Sequence, residues 1–201
     1  KEIINFRLQK LKKLRESGID PYPHNFKRSN YSSELKDDFD SYENKDVVIA
    51  GRIMALRKMG KASFFHLEDL NGRIQVYIKK DDVGEFQYDM FKLLDIGDYA
   101  GVNGFVFKTK TKEISVHAKS IVVLAKSTRP LPIVKEKDGQ TFDSFEDKEQ
   151  RYRNRHLDLI VNPEAKKVFR KRSIITRALR SYLDHEEFLE VETPVLQPLY
   201  G

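Results

Sequence analysis

Arg73-Ile74-Gln75-Val76-Tyr77-Ile78-Lys79 is the stretch from which the rest of the chain is read. Ile74, Val76 and Ile78 fall on one face of a two-residue period, and Arg73, Gln75, Tyr77 and Lys79 on the other, the pattern of a half-buried strand. Before it stands Asn71-Gly72, a dipeptide that favours a tight hairpin turn, and before that a second strand from Ser63 to Glu68. In that neighbour Phe65 and Leu67 share one face, Phe64 and His66 the other. An earlier strand starts at Asp46, where Val47, Ile49, Gly51, Ile53 and Ala55 alternate with Val48, Ala50, Arg52 and Met54. After Lys79 the spacing turns helical from Glu85 to Leu94, through Phe86, Met90, Phe91, Leu93 and Leu94, and Gly97-Asp98 ends it. Tyr99 to Lys108 and Glu113 to Leu124 read as two more strands joined by the hairpin Thr109-Lys110-Thr111-Lys112. Three strands, a helix and two strands within residues 45–126 match the order of an OB-fold, a five-stranded Greek-key barrel with a helix between its third and fourth strands. A small SH3-like barrel is the competing all-β assignment, and the single helix at that place favours the OB order.

The flanks are helical. Residues 1–44 hold a helix from Ile3 to Ser17, with Ile4, Leu8, Leu11 and Leu14 on its apolar face and Gly18 as its stop. Asp20-Pro21-Tyr22-Pro23 breaks it, and an acidic, turn-rich connector runs to Asn44. Residues 127–160 read as a hinge, with Arg129-Pro130-Leu131-Pro132 extended and polar loop as far as Gln150. In residues 161–201, Asn162-Pro163-Glu164 is a helix start: a capping side chain, Pro in first place and an acid at the positive dipole end. That helix is expected to reach about His185 and to bury Val168, Ile175, Leu179 and Tyr182. Phe188 to Thr193 then reads as a strand stopped by Pro194. One helix and one strand cannot bury a core of their own, so the sequence is expected to be a fragment of something longer. The fold class expected is mainly β with helices: a barrel, a leading helix and the opening of a second domain.

Composition narrows the function classes. The 201 residues carry 37 Lys and Arg against 31 Asp and Glu, a net charge of +6, and no cysteine. Disulfides, a thiolate metal site and a thiol nucleophile are therefore excluded. The five His are scattered, with none paired at metal-ligand spacing. No apolar run approaches the roughly 20 residues of a membrane-spanning helix, and the opening residues lack the form of a secretory signal. A cytoplasmic location is the economical expectation. The modest total charge hides opposed blocks: residues 147–180 carry 11 basic and 4 acidic groups, whereas 181–201 carry 5 acidic and none basic. No phosphate-binding loop, nucleophile elbow or metal-ligand constellation appears, so no catalytic, cofactor-binding or metal-binding residue is expected within the chain.

The alternation also selects a working face. With Ile114, Val116 and Ala118 directed inward, the fifth strand presents Glu113, Ser115 and His117; the third presents Arg73, Gln75 and Tyr77; the second presents Phe64. OB barrels bind oligonucleotides over strands 2 and 3. An aromatic to stack a base, an amide and a carboxylate to read base edges and a cation for phosphate suit unpaired RNA. An equal reading of Phe64 makes it a barrel aromatic packed beneath the loop between strands 1 and 2. Arg57, Lys58 and Lys61 form a basic loop around Gly60, each singly an ordinary solvated charge.

Taken together and in order, several segments resemble the N-terminal part of the class II lysyl-tRNA synthetases. They are Gly51-Arg52-Ile53-Met54, Met59-Gly60-Lys61-Ala62-Ser63-Phe64, Gly72-Arg73-Ile74-Gln75, Phe107-Lys108-Thr109-Lys110-Thr111, Arg129-Pro130-Leu131-Pro132 and Arg151-Tyr152-Arg153-Asn154-Arg155 with Leu157-Asp158-Leu159-Ile160. Phe188-Leu189-Glu190-Val191-Glu192-Thr193-Pro194 is similar to motif 1 of class II synthetases. The resemblance implies an anticodon-binding OB domain, a hinge and the start of a catalytic domain. By the same resemblance Phe64 stacks on the central anticodon uridine, and Arg57, Gln75 and Glu113 hydrogen-bond anticodon bases, with His117 a further candidate. It also implies tRNA(Lys) as partner, homodimerisation through motif 1, and lysine, ATP and Mg²⁺ sites in motifs 2 and 3, outside this chain, which alone should be inactive. Two positions depart from the pattern: Lys112 stands where relatives often have Gly in the hairpin, and His156 where Tyr is common. The rivals are an aspartyl- or asparaginyl-tRNA synthetase segment and a free-standing single-strand-binding OB protein without catalysis. The Lys-Thr-Lys-Thr hairpin with Glu113 favours the lysine enzyme over the first, and the motif 1 segment argues against the second.

Overall fold

A computed structural model describes residues 2–132, 135–137, 140–142, 145–194 and 196. The chain divides into two units, Lys1–Leu131 and Pro132–Gly201. In the first, helix α1 (Glu2–Glu16) and two short helices, α2 (Ser32–Asp37) and α3 (Phe39–Tyr42), precede the barrel strands β1 (Asp46–Met59), β2 (Ala62–Glu68) and β3 (Arg73–Lys79). Helices α4 (Lys80–Val83) and α5 (Glu85–Lys92) follow, then β4 (Tyr99–Lys108) and β5 (Ile114–Ala125). The five strands close in the order β1-β2-β3-β5-β4, with β3 and β5 parallel and the other pairs antiparallel. This is the expected OB barrel. Ile74, Val76 and Ile78 are all buried, as are Phe65, Leu67, Val116 and Ala118. Burying each large aliphatic or aromatic side chain contributes on the order of 1.5–3 kcal/mol, which makes a one-residue slip of register prohibitive.

Several details differ from expectation. On α1 the buried face is Arg7, Leu11 and Leu14, while Leu8 is exposed. Arg7 is tolerated inside because its guanidinium donates to the carbonyls of Ile96 (2.8 Å), Arg129 (3.1 Å) and Ser127 (3.2 Å). Beside it Lys10 reaches Asp95 at 2.5 Å, and Lys126, its side chain fully buried, reaches Asp95 at 2.6 Å and Asp98 at 2.7 Å. The acidic connector is not only turn: α2 and α3 bury Leu35 and Phe39, in helices too short to show a period. The tip of the Phe26 ring packs on Gly101, where a Cβ would stand 2.3 Å from it, so only glycine admits the connector there. Asn71-Gly72 closes a four-residue loop rather than a two-residue turn, since Glu68 pairs with Arg73. Asp69 organises that loop by accepting from the amides of Asn71 (2.8 Å) and Gly72 (2.9 Å) and from Ser32 of α2. The expected helix from Glu85 starts where predicted and ends at Lys92, two residues short of Leu94, and a further short helix, α4, precedes it across Gly84. Phe86 is exposed and Tyr88 buried instead, its hydroxyl shared between Ser63 (3.0 Å) and the Gly60 carbonyl (2.8 Å).

In the second unit the segment read as loop holds a small hairpin, β6 (Lys135–Lys137) and β7 (Gln140–Phe142), then α6 (Lys148–Arg153) and α7 (Arg155–Val161). Helix α8 (Pro163–His185) ends where expected. Asn162 does not cap it: the side chain donates to Asp158 at 2.6 Å. Fully buried Asp158 also accepts from Arg151 (2.7 Å) and Arg155, and so gathers α6, α7 and the start of α8. Val168, Ile175, Leu179 and Tyr182 are exposed along α8, and Phe188 to Thr193 is not a strand. Both expectations required another element to pack against, a surface these described residues do not supply. No helix among the described residues is long and apolar enough to cross a membrane.

Candidate nucleic-acid interface

The strand pairings lay the presented side chains out in two crosswise rows. Arg57 of β1 lies opposite Phe64, Phe64 opposite Tyr77, Tyr77 opposite His117, and His117 opposite Phe105. One step along the strands the row is Ala55, His66, Gln75, Ser115 and Phe107. The first row is therefore aromatic with a cation at its end, and the second mainly polar. Its rings touch in sequence: Phe64 to Tyr77 at 4.9 Å between centroids, Tyr77 edge-on to His117 at 4.9 Å, and His117 stacked on Phe105 at 4.8 Å.

Where the rows meet the hairpin of Thr109 to Lys112, they bound an open groove of about 680 Å³. Arg57, Phe64, His66, Gln75, Tyr77 and the hairpin residues Thr109, Lys110 and Thr111 line it. Phe64 is half-buried and faces this groove, opposite in direction to the buried Phe65, so it is not packed beneath the loop between β1 and β2. At the groove's rim the Glu113 carboxylate accepts from Gln75 Nε2 at 2.9 Å and lies 3.3 Å from His66 Nε2. The Ser115 hydroxyl, fully buried rather than presented, donates to Gln75 Oε1 at 2.9 Å. Glu113 is aimed by its own hairpin. Its amide donates to Thr109 Oγ1 (3.0 Å), its carbonyl accepts from the Thr109 amide (3.0 Å), and Lys112 N–H reaches Thr109 O (2.8 Å). Lys112 pays for this turn with φ of +64°, the left-handed region that favours glycine.

The candidate residues are thus not equivalent. Arg57, Phe64 and Gln75 line the groove, and Glu113 is bonded to Gln75. His117 lies beyond it in the aromatic row, its Nε2 2.7 Å from Asp82 of α4. Lys58 turns away: its ammonium caps the end of α5 by donating to the carbonyls of Lys92 (2.6 Å) and Leu94 (2.9 Å). Burial there, and then the nearby charge of Lys10, lower its pKa to about 8. His66 and Thr109 escaped selection as site residues, although the alternation had already put His66 beside Phe64.

Residues 47–124 match the family described as OB-fold nucleic acid binding domain, and residues 147–201 match that of class II tRNA synthetases (D, K and N). Over 200 residues, all of this chain, it is 46% identical to a lysine–tRNA ligase of Syntrophomonas wolfei subsp. wolfei, covering 39% of that relative. A lysine–tRNA ligase of Pelotomaculum thermopropionicum is 49% identical over all of this chain and 38% of its own length. One of Porphyromonas gingivalis is 48% identical over 97% of this chain and 36% of its own. The chain belongs to the class II lysyl-tRNA synthetase family. It spans between 36% and 39% of the length of these relatives. Within the family match the groove falls wholly inside the OB domain, and the Asp158 cluster inside the synthetase portion.

Proposed function

We propose that the barrel binds the anticodon loop of tRNA(Lys), with Phe64 stacking on the central base and Arg57, Gln75 and Glu113 contacting base edges. His117 flanks this set. The observation that carries the reading is the Gln75–Glu113 pair beside an accessible aromatic ring. A carboxylate only accepts, so the end of Gln75 facing it is the NH₂, whose second proton remains to be given. A donor next to an acceptor complements the O4 and N3–H of uridine. Cytidine would set the lone pair of N3 against the carboxylate and leave both unsatisfied, which costs more than a missing bond.

The test is a low-salt titration of the chain with anticodon stem-loops differing only in the central base. Uridine should bind at least about tenfold more tightly than cytidine. Equal affinities would remove Gln75 and Glu113 as readers.

For the intact protein we propose lysine–tRNA ligase activity in the cytoplasm, with lysine activated by ATP and Mg²⁺ and esterified to tRNA(Lys), and homodimerisation through motif 1. Among the described residues no group of three His, Cys, Asp or Glu side chains could hold a metal ion. In this proposal the ATP and Mg²⁺ sites belong to motifs 2 and 3 of the intact protein, and the barrel contributes recognition of the anticodon.

A further inference from the structure

We propose that His66 and Ser115 are positioning residues that hold the Gln75–Glu113 pair with its donor beside its acceptor, and thereby sharpen the preference for uridine over cytidine; this rests on the anticodon reading above. Each reader is held from its outer side. Pairing across β2, β3 and β5 places His66, Gln75 and Ser115 in one row, and Glu113 joins it from the hairpin. His66 Nε2 lies 3.3 Å from one carboxylate oxygen of Glu113, and Gln75 Nε2 donates to the other at 2.9 Å. Ser115 Oγ donates to Gln75 Oε1 at 2.9 Å.

The direction of every bond in this chain follows from the carboxylate. Glu113 can only accept, so both His66 Nε2 and the Gln75 nitrogen must bring protons to it. The Gln75 oxygen is then turned towards β5, where the buried Ser115 hydroxyl meets it with a proton. The Ser115 hydroxyl, whose other acceptor within reach is the Glu113 carbonyl at 3.3 Å, pins that oxygen; without it the amide would be free to swing off the carboxylate, and the donor offered to the base would no longer be held in one place. Without His66 the carboxylate would lose one of its two tethers and would have to be ordered anew when a base arrives. A preorganised pair discriminates because a mismatched base cannot rearrange it at little cost.

Stem-loop titrations of His66→Ala, His66→Gln and Ser115→Ala in the full 201-residue chain decide the matter, with circular dichroism melts confirming that each variant is folded. His66→Ala should cut the uridine-over-cytidine ratio about five- to tenfold, by weakening the uridine loop alone. His66→Gln, whose amide can still donate to Glu113, should recover most of that ratio, and Ser115→Ala should reduce it. An unchanged ratio in His66→Ala beside a discriminating wild type would overturn the inference and leave the anticodon reading standing. Equal weakening of both loops would also overturn it, because that is the behaviour of a general contact. A wild type that binds both loops alike would overturn the anticodon reading itself, and this inference with it.

Discussion

At Phe64 the difference between a core aromatic and a binding aromatic comes down to which way one side chain of a strand points. Its neighbour Phe65 fills the barrel, whereas Phe64 faces the groove with Tyr77 beside it on the next strand, 4.9 Å between ring centroids. Truncation should therefore spare the fold and remove a stack. Phe64→Ala is expected to weaken binding of anticodon stem-loops by about 1–3 kcal/mol whichever central base they carry, with thermal unfolding little changed. Fluorescence titration of the two loops checks the first part and a melting curve the second; an unaltered affinity would return Phe64 to a packing role. Lys112 shows what the chain alone conceals at this scale. A lysine at φ +64° is an uncommon solution for a turn, and it holds because Thr109 satisfies the hairpin through main chain and side chain together.

Among the elements, α1 is tied to the barrel by charged side chains as well as by buried Leu11 and Leu14. Asp95 and Asp98 share Lys126, Asp95 also takes Lys10, and Arg7 spans three carbonyls. Burial pushes the Asp95 carboxyl up, but the hydrogen bonds from Lys10 and Lys126 outweigh it and hold its pKa below the ordinary carboxylate value. The folded state then binds fewer protons than the unfolded one at acid pH. The contribution of Asp95 to stability is fully present above about pH 4 and is lost as the pH falls through its lowered pKa. Lys126→Ala removes the shared cation, leaving Asp95 with Lys10 and the buried Asp98 with only the amides of Asp95 and Ser127. It should cost about 3–5 kcal/mol in urea unfolding at neutral pH, with the deficit narrowing below about pH 4 as the Asp95 carboxyl takes up its proton. A deficit independent of pH would mean that packing, not charge, is what Lys126 supplies. None of this was readable along the chain, because Lys126, Asp95 and Asp98 look like solvated charges at the ends of elements. Strands β2 to β5, by contrast, were legible to within a residue at either end, since each buries one face and a period of two survives any rearrangement of loops; β1 runs on to Met59, through Arg57 and Lys58 that had the look of a loop.

For the molecule as a whole, the second unit carries a 23-residue helix whose Val168, Ile175, Leu179 and Tyr182 lie open to solvent. Helices gain most of their stability from burying such a face, so an apolar stripe of this length calls for a partner surface. If that surface is a second copy, as the proposed dimer requires, the chain should self-associate at micromolar concentration, and Ile175→Glu with Leu179→Glu should keep it monomeric in sedimentation velocity. A wild type that stays monomeric throughout would assign the stripe to other parts of the intact protein. By itself the sequence determined the barrel, its strand faces, the extent of the long helix and the set Phe64, Gln75 and Glu113, because alternation, turn residues and helix punctuation are local consequences of burying one face of each element. Only the tertiary structure decided that Gln75 and Glu113 are bonded to each other, that His66 and Ser115 hold them from either side, that Lys58 caps a helix, and that Arg7 and Lys126 lie inside. Those outcomes depend on which distant groups meet across the strands, and a polar side chain's cost or value is set by the partner it finds rather than by its neighbours in the chain.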